Sequence, residues 1–340
     1  AARGGETLDL FVRQTCLWGT LTGGKAGGGV LTLRGGRNRF ADRADAAAAA
    51  ALAHFRGYYT VALPVRVGDS LGAAAAAPEG AGYLALTVGN GGSAKIAGVL
   101  ADGVKVSRSG RLILTDAEGG GACVALFAPL YTKRGRAGGL LLLDPDARTV
   151  TTDRAAGGYI YWENPGRGAE GFRMLLEACG GFYAVPPALA AAYRFSSDAD
   201  TTYWHAAGAA DPSAVPDEVP AAVVAGRMVM PKGAKPAKGT EEEGVPYVYD
   251  AVNPAQATLA FAARSGIFKG KYTLYYEYEL NGVTALKAVK ASYAGILAPV
   301  RGAAFDDLPA GLGHALVPDS DPAFKASRLK RSHRAWLDAE

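Results

Sequence analysis

The sequence predicts a mainly β protein: antiparallel strand meanders that recur along the chain and form small barrels or sandwiches, with a few short helices. Three observations predict it. Apolar residues alternate with polar or small ones at a period of two, as in Leu84, Leu86 and Val88 or Leu259 and Phe261. Glycine, 46 of 340 residues without a three-residue period, punctuates these runs as turns between short strands do. Ordered landmarks also reappear: ILAPV at 296–300 matches LFAPL at 126–130, and GLGHALVPDSDP at 311–322 matches GGLLLLDPD at 138–146. That order points to an internal repeat.

Composition bounds the rest. A hydrophobic fraction of 49% and a charged fraction of 20% suit a globular chain, and 340 residues suffice for two or three cores. The formal charge of +4 is low for a nucleic-acid binder, so no nucleic-acid partner is expected. No signal-peptide or transmembrane run reads out, Leu140–Leu143 being far too short to span a bilayer. The opening Ala-Ala-Arg, without Met, suggests a processed product or a fragment. Cys16, Cys123 and Cys179 stand far apart, so they read as buried thiols, or as one disulfide and a spare thiol, with no metal spacing.

From the amino end, Phe11-Val12 begins a strand, and residues 17–33 repeat the order of features in 130–145 as a truncated first copy. Ala44–Phe55 holds six consecutive alanines and reads as a short helix capped by Asp45, or as a loose connector. Strands follow at Tyr58–Leu63, Leu84–Val88, Lys95–Leu100 and Val104–Ser107, with Ala101-Asp102-Gly103 as a tight turn and Gly89–Gly92 as another. Arg148–Asp153 and Gly158–Glu163 read as strands, and Phe172–Ala178 as a two-turn helix. The domain reading is a first β-rich domain over 1–185, an irregular insertion or linker over 186–222 with a helix near Pro187–Tyr193, and a second β-rich domain over 223–340. In the second domain Asn281-Gly282 is the strongest hairpin signal; a bulge is expected in the return strand, where the period slips near Val283, Leu286 and Val289. Pro322–Glu340 reads as a closing helix with a basic outer face.

Chemistry is sparse in the sequence. His54, His205, His314 and His333 lack metal spacing, and no H-E-x-x-H, G-x-S-x-G or phosphate-cradling motif occurs, so no cofactor or metal is expected. The weak catalytic candidates are Glu163, His205 beside two aromatics, and Glu277, which with Glu279 could supply paired carboxylates. On one strand Glu277 and Glu279 share a face with Tyr275, while Tyr272, Leu274, Tyr276, Tyr278 and Leu280 take the other, the expected core. The acidic face is expected to pair with Lys271, Lys287 or Lys290. The aromatics Trp162, Tyr203, Trp204 and Tyr275 are candidates for stacking on sugar rings. Trp18 and Tyr131 occupy matching repeat positions, which favours a packing role for both.

The stretches GYLALTVGNGGSAKIAGVLADGVKVSRSG, ACVALFAPLYTKRG and SGIFKGKYTLYYEYELNG, with AVKASYAGIL, resemble the terminal β-rich regions of large secreted proteins of gut and rumen bacteria. Those proteins often carry internalin-type B-repeats elsewhere. The likeness runs over most of this chain, which has no B-repeat of its own. The resemblance implies export and association with the cell surface, and it carries no catalytic residue across. The expectation is therefore a non-catalytic extracellular binding, adhesion or structural module whose partner is a glycan or a surface protein. A secreted hydrolase acting on a glycan or ester, with a dispersed site, is the alternative.

Overall fold

The computed structural model describes residues 7–12, 16–22, 30–41, 45–66, 77–115, 121–152, 158–166, 171–184, 192–199, 213–225, 227–240, 244–298, 309–318 and 330–340. It is mainly β, as the alternation predicts, and its antiparallel sheets curl into barrel-like arrangements. A three-stranded sheet comes first: β1 (Thr7–Val12), β2 (Cys16–Thr22) and β3 (Val30–Gly36). The alanine tract then forms α1 (Ala46–Phe55), capped as expected by Asp45, whose carboxylate accepts the Ala48 amide at 2.8 Å. Arg39 pairs with that carboxylate, and this bond, ahead of the amide, holds its pKa down to about 2.

The first barrel comprises β4 (Gly57–Leu63), β5 (Gly82–Val88), β6 (Ser93–Val99), β7 (Lys105–Leu114), β8 (Ala122–Leu130), β9 (Gly135–Leu143), β10 (Thr149–Thr151), β11 (Ile160–Asn164), β12 (Phe172–Leu176) and β13 (Cys179–Phe182). Sequential hairpins run from β4 to β9. The ring then closes through β10, which pairs with β9 on one side and with β13 on the other, while β13 pairs with β4. The β11–β12 hairpin branches from the other half of β9, and its end bridges Leu176 to Val65 beyond β4. Leu84, Leu86 and Val88 point inward as their spacing requires, and they meet Ile96, Leu100, Val106, Leu141 and Trp162 in one apolar interior. α1 adds Ala48, Leu52 and Phe55 to that core. Phe172–Ala178 is not helical: Phe172, Met174 and Leu176 alternate inward along β12, a period of two.

The second barrel-like sheet runs β16–β15–β14–β23–β22–β21–β20–β19, with β14 (Ala192–Ser197), β15 (Val219–Val224), β16 (Arg227–Val229), β19 (Thr258–Ala262), β20 (Ile267–Leu280), β21 (Val283–Leu297), β22 (Gly311–Pro318) and β23 (Lys330–Ala339). Its edge strands β16 and β19 lie against each other. A small ribbon, β17 (Ala237–Lys238) with β18 (Tyr247–Val248), stands apart from that sheet. Tyr272, Leu274 and Tyr276 fill the interior as predicted, whereas Tyr278 is half-buried and Leu280 is exposed beside the hairpin turn; Phe195 stacks on Tyr293 at 4.1 Å.

Three expectations are corrected here. The expected closing helix is β23 over its described part: Ser332 hydrogen-bonds away from solvent and His333, Ala335 and Leu337 alternate inward, because β22 and β14 offer ladders on both sides. The segment 186–222 is no mere linker, since it contributes β14 and part of β15 to the second barrel; the helix expected near Pro187–Tyr193 falls largely outside the described residues, and Ala192 and Tyr193 belong to β14. The expected bulge is absent, since β20 and β21 keep one register from Ile267↔Ile296 to Leu280↔Val283. Asn281-Gly282 does make the turn, with φ of 53° and 76°.

Residues 126–130 and 138–143 lie on the antiparallel neighbours β8 and β9, and residues 296–297 and Gly311–Pro318 on the antiparallel neighbours β21 and β22. A third apolar cluster joins the barrels. Ala62, Ala81, Tyr83 and Cys179 on the outside of the first pack against Ile296 and Leu312 on the outside of the second. This is why β4 is buried on both faces. The bond from the Ala81 amide to the Gly313 carbonyl, 2.9 Å, and that from the Tyr183 hydroxyl to the Ala263 carbonyl, 2.7 Å, cross the same seam.

Candidate functional site

The structure separates the residues singled out from the sequence. Glu163 lies on β11 of the first barrel, and Glu277 on β20 of the second. Glu163 sits in register between Arg136 on β9 and Arg173 on β12, with carboxylate contacts of 3.5 Å and 3.1 Å. It is the centre of a cross-strand charge ladder. Glu277 and Glu279 do share a face, as expected for alternate residues of one strand. Their hydrogen bonds come from hydroxyls: Tyr249 donates to Glu277 at 2.6 Å and Thr284 to Glu279 at 2.8 Å. Glu163 and Glu277 therefore do not form the close carboxylate pair that glycoside hydrolysis uses.

Trp162 is not a surface platform. It is fully buried, edge-on to Phe172 at 4.7 Å, and its indole N–H donates to the Tyr131 hydroxyl at 3.0 Å. Tyr131 in turn donates to Asp102, whose other oxygen takes the Val104 amide at 3.0 Å. Burial raises the Asp102 carboxyl above its ordinary value, and it raises the Tyr131 hydroxyl further still, with Asp102 adding to the effect. The packing role expected of Tyr131 is thus observed. The network ties the β6–β7 turn to the strained β8–β9 turn, where Tyr131, Thr132 and Lys133 all have positive φ. Tyr203, Trp204 and His205 lie outside the described residues.

Around Tyr275 the chain builds a compact polar and aromatic cluster. Tyr275 is buried, although it occupies the outward phase of β20, because the segments around Ser213 and Gln256 cover it: the Ser213 amide donates to its carbonyl, and its hydroxyl donates to the Gln256 amide oxygen. Gln256 then donates to the Gly233 carbonyl at 3.3 Å. The half-buried Tyr249 ring stands 6.3 Å from Tyr275, and its hydroxyl is held by Glu277. Burial, followed by that hydrogen bond, raises the Tyr249 hydroxyl well above its ordinary value, so it acts as a donor at neutral pH. The result is one half-buried ring, Tyr249, beside an oriented carboxylate and backed by the buried Tyr275–Gln256 pair. Tyr249 and Gln256 escape sequence reading because nothing in their local pattern brings them to β20.

A groove of about 410 Å³ opens at the mouth of the first barrel between the end of α1 and the β5–β6 turn, lined by Ala53, Arg56, Gly57, Val88, Gly89 and Asn90. The Arg148 guanidinium lies beside it, 3.4 Å over the Phe182 ring and donating to the Arg56 carbonyl at 2.7 Å. Among the described residues no three His, Cys, Asp or Glu side chains gather as a metal site requires, and no helix is long and apolar enough to cross a membrane. Cys123 and Cys179 are buried; burial, then the neighbouring Glu177, pushes the Cys179 thiol up to about 12. No known protein family, curated protein or solved structure matches the chain.

Proposed function

We propose that this chain is a non-catalytic binding module of a secreted or surface-anchored bacterial protein, and that it meets a glycan on its outer walls. Both barrel interiors are packed with apolar and aromatic side chains, and a third cluster fixes the barrels to each other. A rigid body of this kind presents outward-facing side chains without moving them. The observation that carries the reading is the half-buried Tyr249 ring, whose hydroxyl is fixed by Glu277, set beside the buried Tyr275–Gln256 pair. One partly exposed ring beside a fixed carboxylate suits a sugar, whose apolar face stacks on Tyr249 while a hydroxyl donates to Glu277. The carboxylate serves here as a hydrogen-bond acceptor.

A neutral glycan array with the intact chain tests this. A bound glycan should lose at least tenfold in affinity with Tyr249→Ala and several-fold with Glu277→Gln, while circular dichroism stays unchanged. Equal affinity in both variants, or an array without a hit, would remove this cluster as the binding site.

A further inference from the structure

The chain carries a formal charge of only +4, yet its cations are not spread evenly. Strands β6 to β9 contain no Asp or Glu, and their outward positions place Lys95, Lys105, Arg111 and Arg136 in solvent. Register puts them on one wall. Lys95 lies opposite Ser109, Ser93 opposite Arg111, Val99 opposite Lys105, and Pro129 opposite Arg136. Among the described residues, the carboxylate that reaches this wall is Glu163, already shared by Arg136 and Arg173. Asp102, below it, is half-buried and engaged by Tyr131 and the Val104 amide.

The floor between these cations is built from short side chains: Ala97, Ser107, Ser109 and Ala125 are all exposed. Phe127 stands in its midst, 63% exposed, opposite Gly138. It stands there because β7 and β8 share a ladder only over Leu112–Leu114 and Ala122–Val124. Beyond that point Arg108 spans the gap, donating to the carbonyls of Ser107, Phe127 and Pro129 at 2.7, 3.0 and 3.2 Å. The strands are thus held apart by a guanidinium and the wall is widened.

We propose that this wall binds an acidic polysaccharide through its uronic-acid carboxylates. The proposal rests on the reading of the chain as a glycan-binding module and names the class of glycan. Charge complementarity calls for a polyanion, and the wall already shows its geometry for a carboxylate in the Arg136–Glu163–Arg173 ladder. Lys105 and Arg111, six residues apart on one strand, are separated by about 20 Å, a length that holds several sugar rings. Phe127 offers one ring a stacking face, and Ser107 and Ser109 offer hydroxyls to its neighbours. A single-stranded nucleic acid would need a track of aromatics for successive bases, and a membrane would need several apolar side chains to insert. One exposed Phe among serines and alanines fits neither.

The test is affinity electrophoresis and titration of the intact chain with polygalacturonate, run beside a neutral glucan, polyphosphate, single-stranded DNA and anionic phospholipid vesicles. Polygalacturonate should bind preferentially and more weakly at high salt. The Lys105→Glu/Arg111→Glu double variant should lose at least tenfold and Phe127→Ala several-fold, while Lys238→Glu, on the separate β17–β18 ribbon, changes binding less than twofold. All are exposed positions, so circular dichroism should match the parent. Equal binding by the double variant, or polyphosphate, DNA or vesicles binding as tightly as polygalacturonate, overturns the proposal. A Tyr249-dependent neutral glycan that survives such a result would leave the binding-module reading standing. Wall-dependent polygalacturonate binding, together with neutral-glycan affinity that Tyr249→Ala leaves unchanged, would instead sink the Tyr249 site alone.

Discussion

His314 shows what one residue contributes to the seam between the barrels. Its imidazole stacks with Tyr83 at 6.3 Å, Nδ1 lies 3.0 Å from the Ala81 carbonyl, and burial lowers its pKa to about 4. Folding therefore favours the neutral ring. Stability contributed this way is complete above the unfolded value near 6.5 and is lost as pH falls toward 4, for a total of roughly 3 kcal/mol. Urea unfolding at pH 7.5, 5.5 and 4.0 should show that decline in the parent and a flatter profile in His314→Gln; parallel profiles would contradict the assignment. At Tyr131 the matter is satisfaction of buried polar groups. Tyr131→Phe removes a donor to Asp102 and an acceptor for Trp162, and should cost about 2 kcal/mol in urea unfolding. The sequence marked Trp162 and Tyr275 as aromatic surface candidates, and both proved buried. Alternation states which face a side chain takes but not what later covers that face, and for Tyr275 the cover comes from Ser213 and Gln256.

At the level of elements, α1 illustrates a helix decided by its ends and anchors. Six alanines offer high propensity but little to pack, so the choice between helix and connector falls to Asp45 at one end and to Leu52 and Phe55 against the barrel core. Asp45→Ala should lower stability by about 1 kcal/mol and Asp45→Ser by much less, compared by urea midpoint. Equal losses would mean that the Arg39 pair, not the cap, is what the helix needs. The strands β4 to β6, the first part of β7 and the Asn281-Gly282 hairpin were legible because their signals are local: alternation, and turn residues that accept positive φ. β23 was not legible. Its charged, alanine-containing sequence suits a helix, and what makes it a strand is β14, more than a hundred residues earlier in the chain, and β22.

At the scale of the molecule, the barrels are coupled through a seam in which small residues permit close approach. A Cβ on Gly80 would come within 2.5 Å of His314 Cβ and of the His333 carbonyl. Gly80→Val should push the barrels apart and replace one cooperative calorimetric transition by two at lower temperature; a single transition at the parental Tm would show that the seam does not couple them. The same seam turns the outer face of β4 and the Tyr83 end of β5 into interior, while the β6–β9 wall and the Tyr249 cluster face outward.

The sequence by itself determined the β class, the inward sets of β5 and of the first part of β20, and the principal turns, because each depends on residues a few positions apart and on the two-residue period of an extended chain. Only the tertiary structure decided that β10 and β13 close the first ring, that 186–222 and the carboxyl end supply walls of the second, and that Glu163 and Glu277 stand on different barrels. Those outcomes depend on ladders between distant segments, whose pairing energy no local pattern carries.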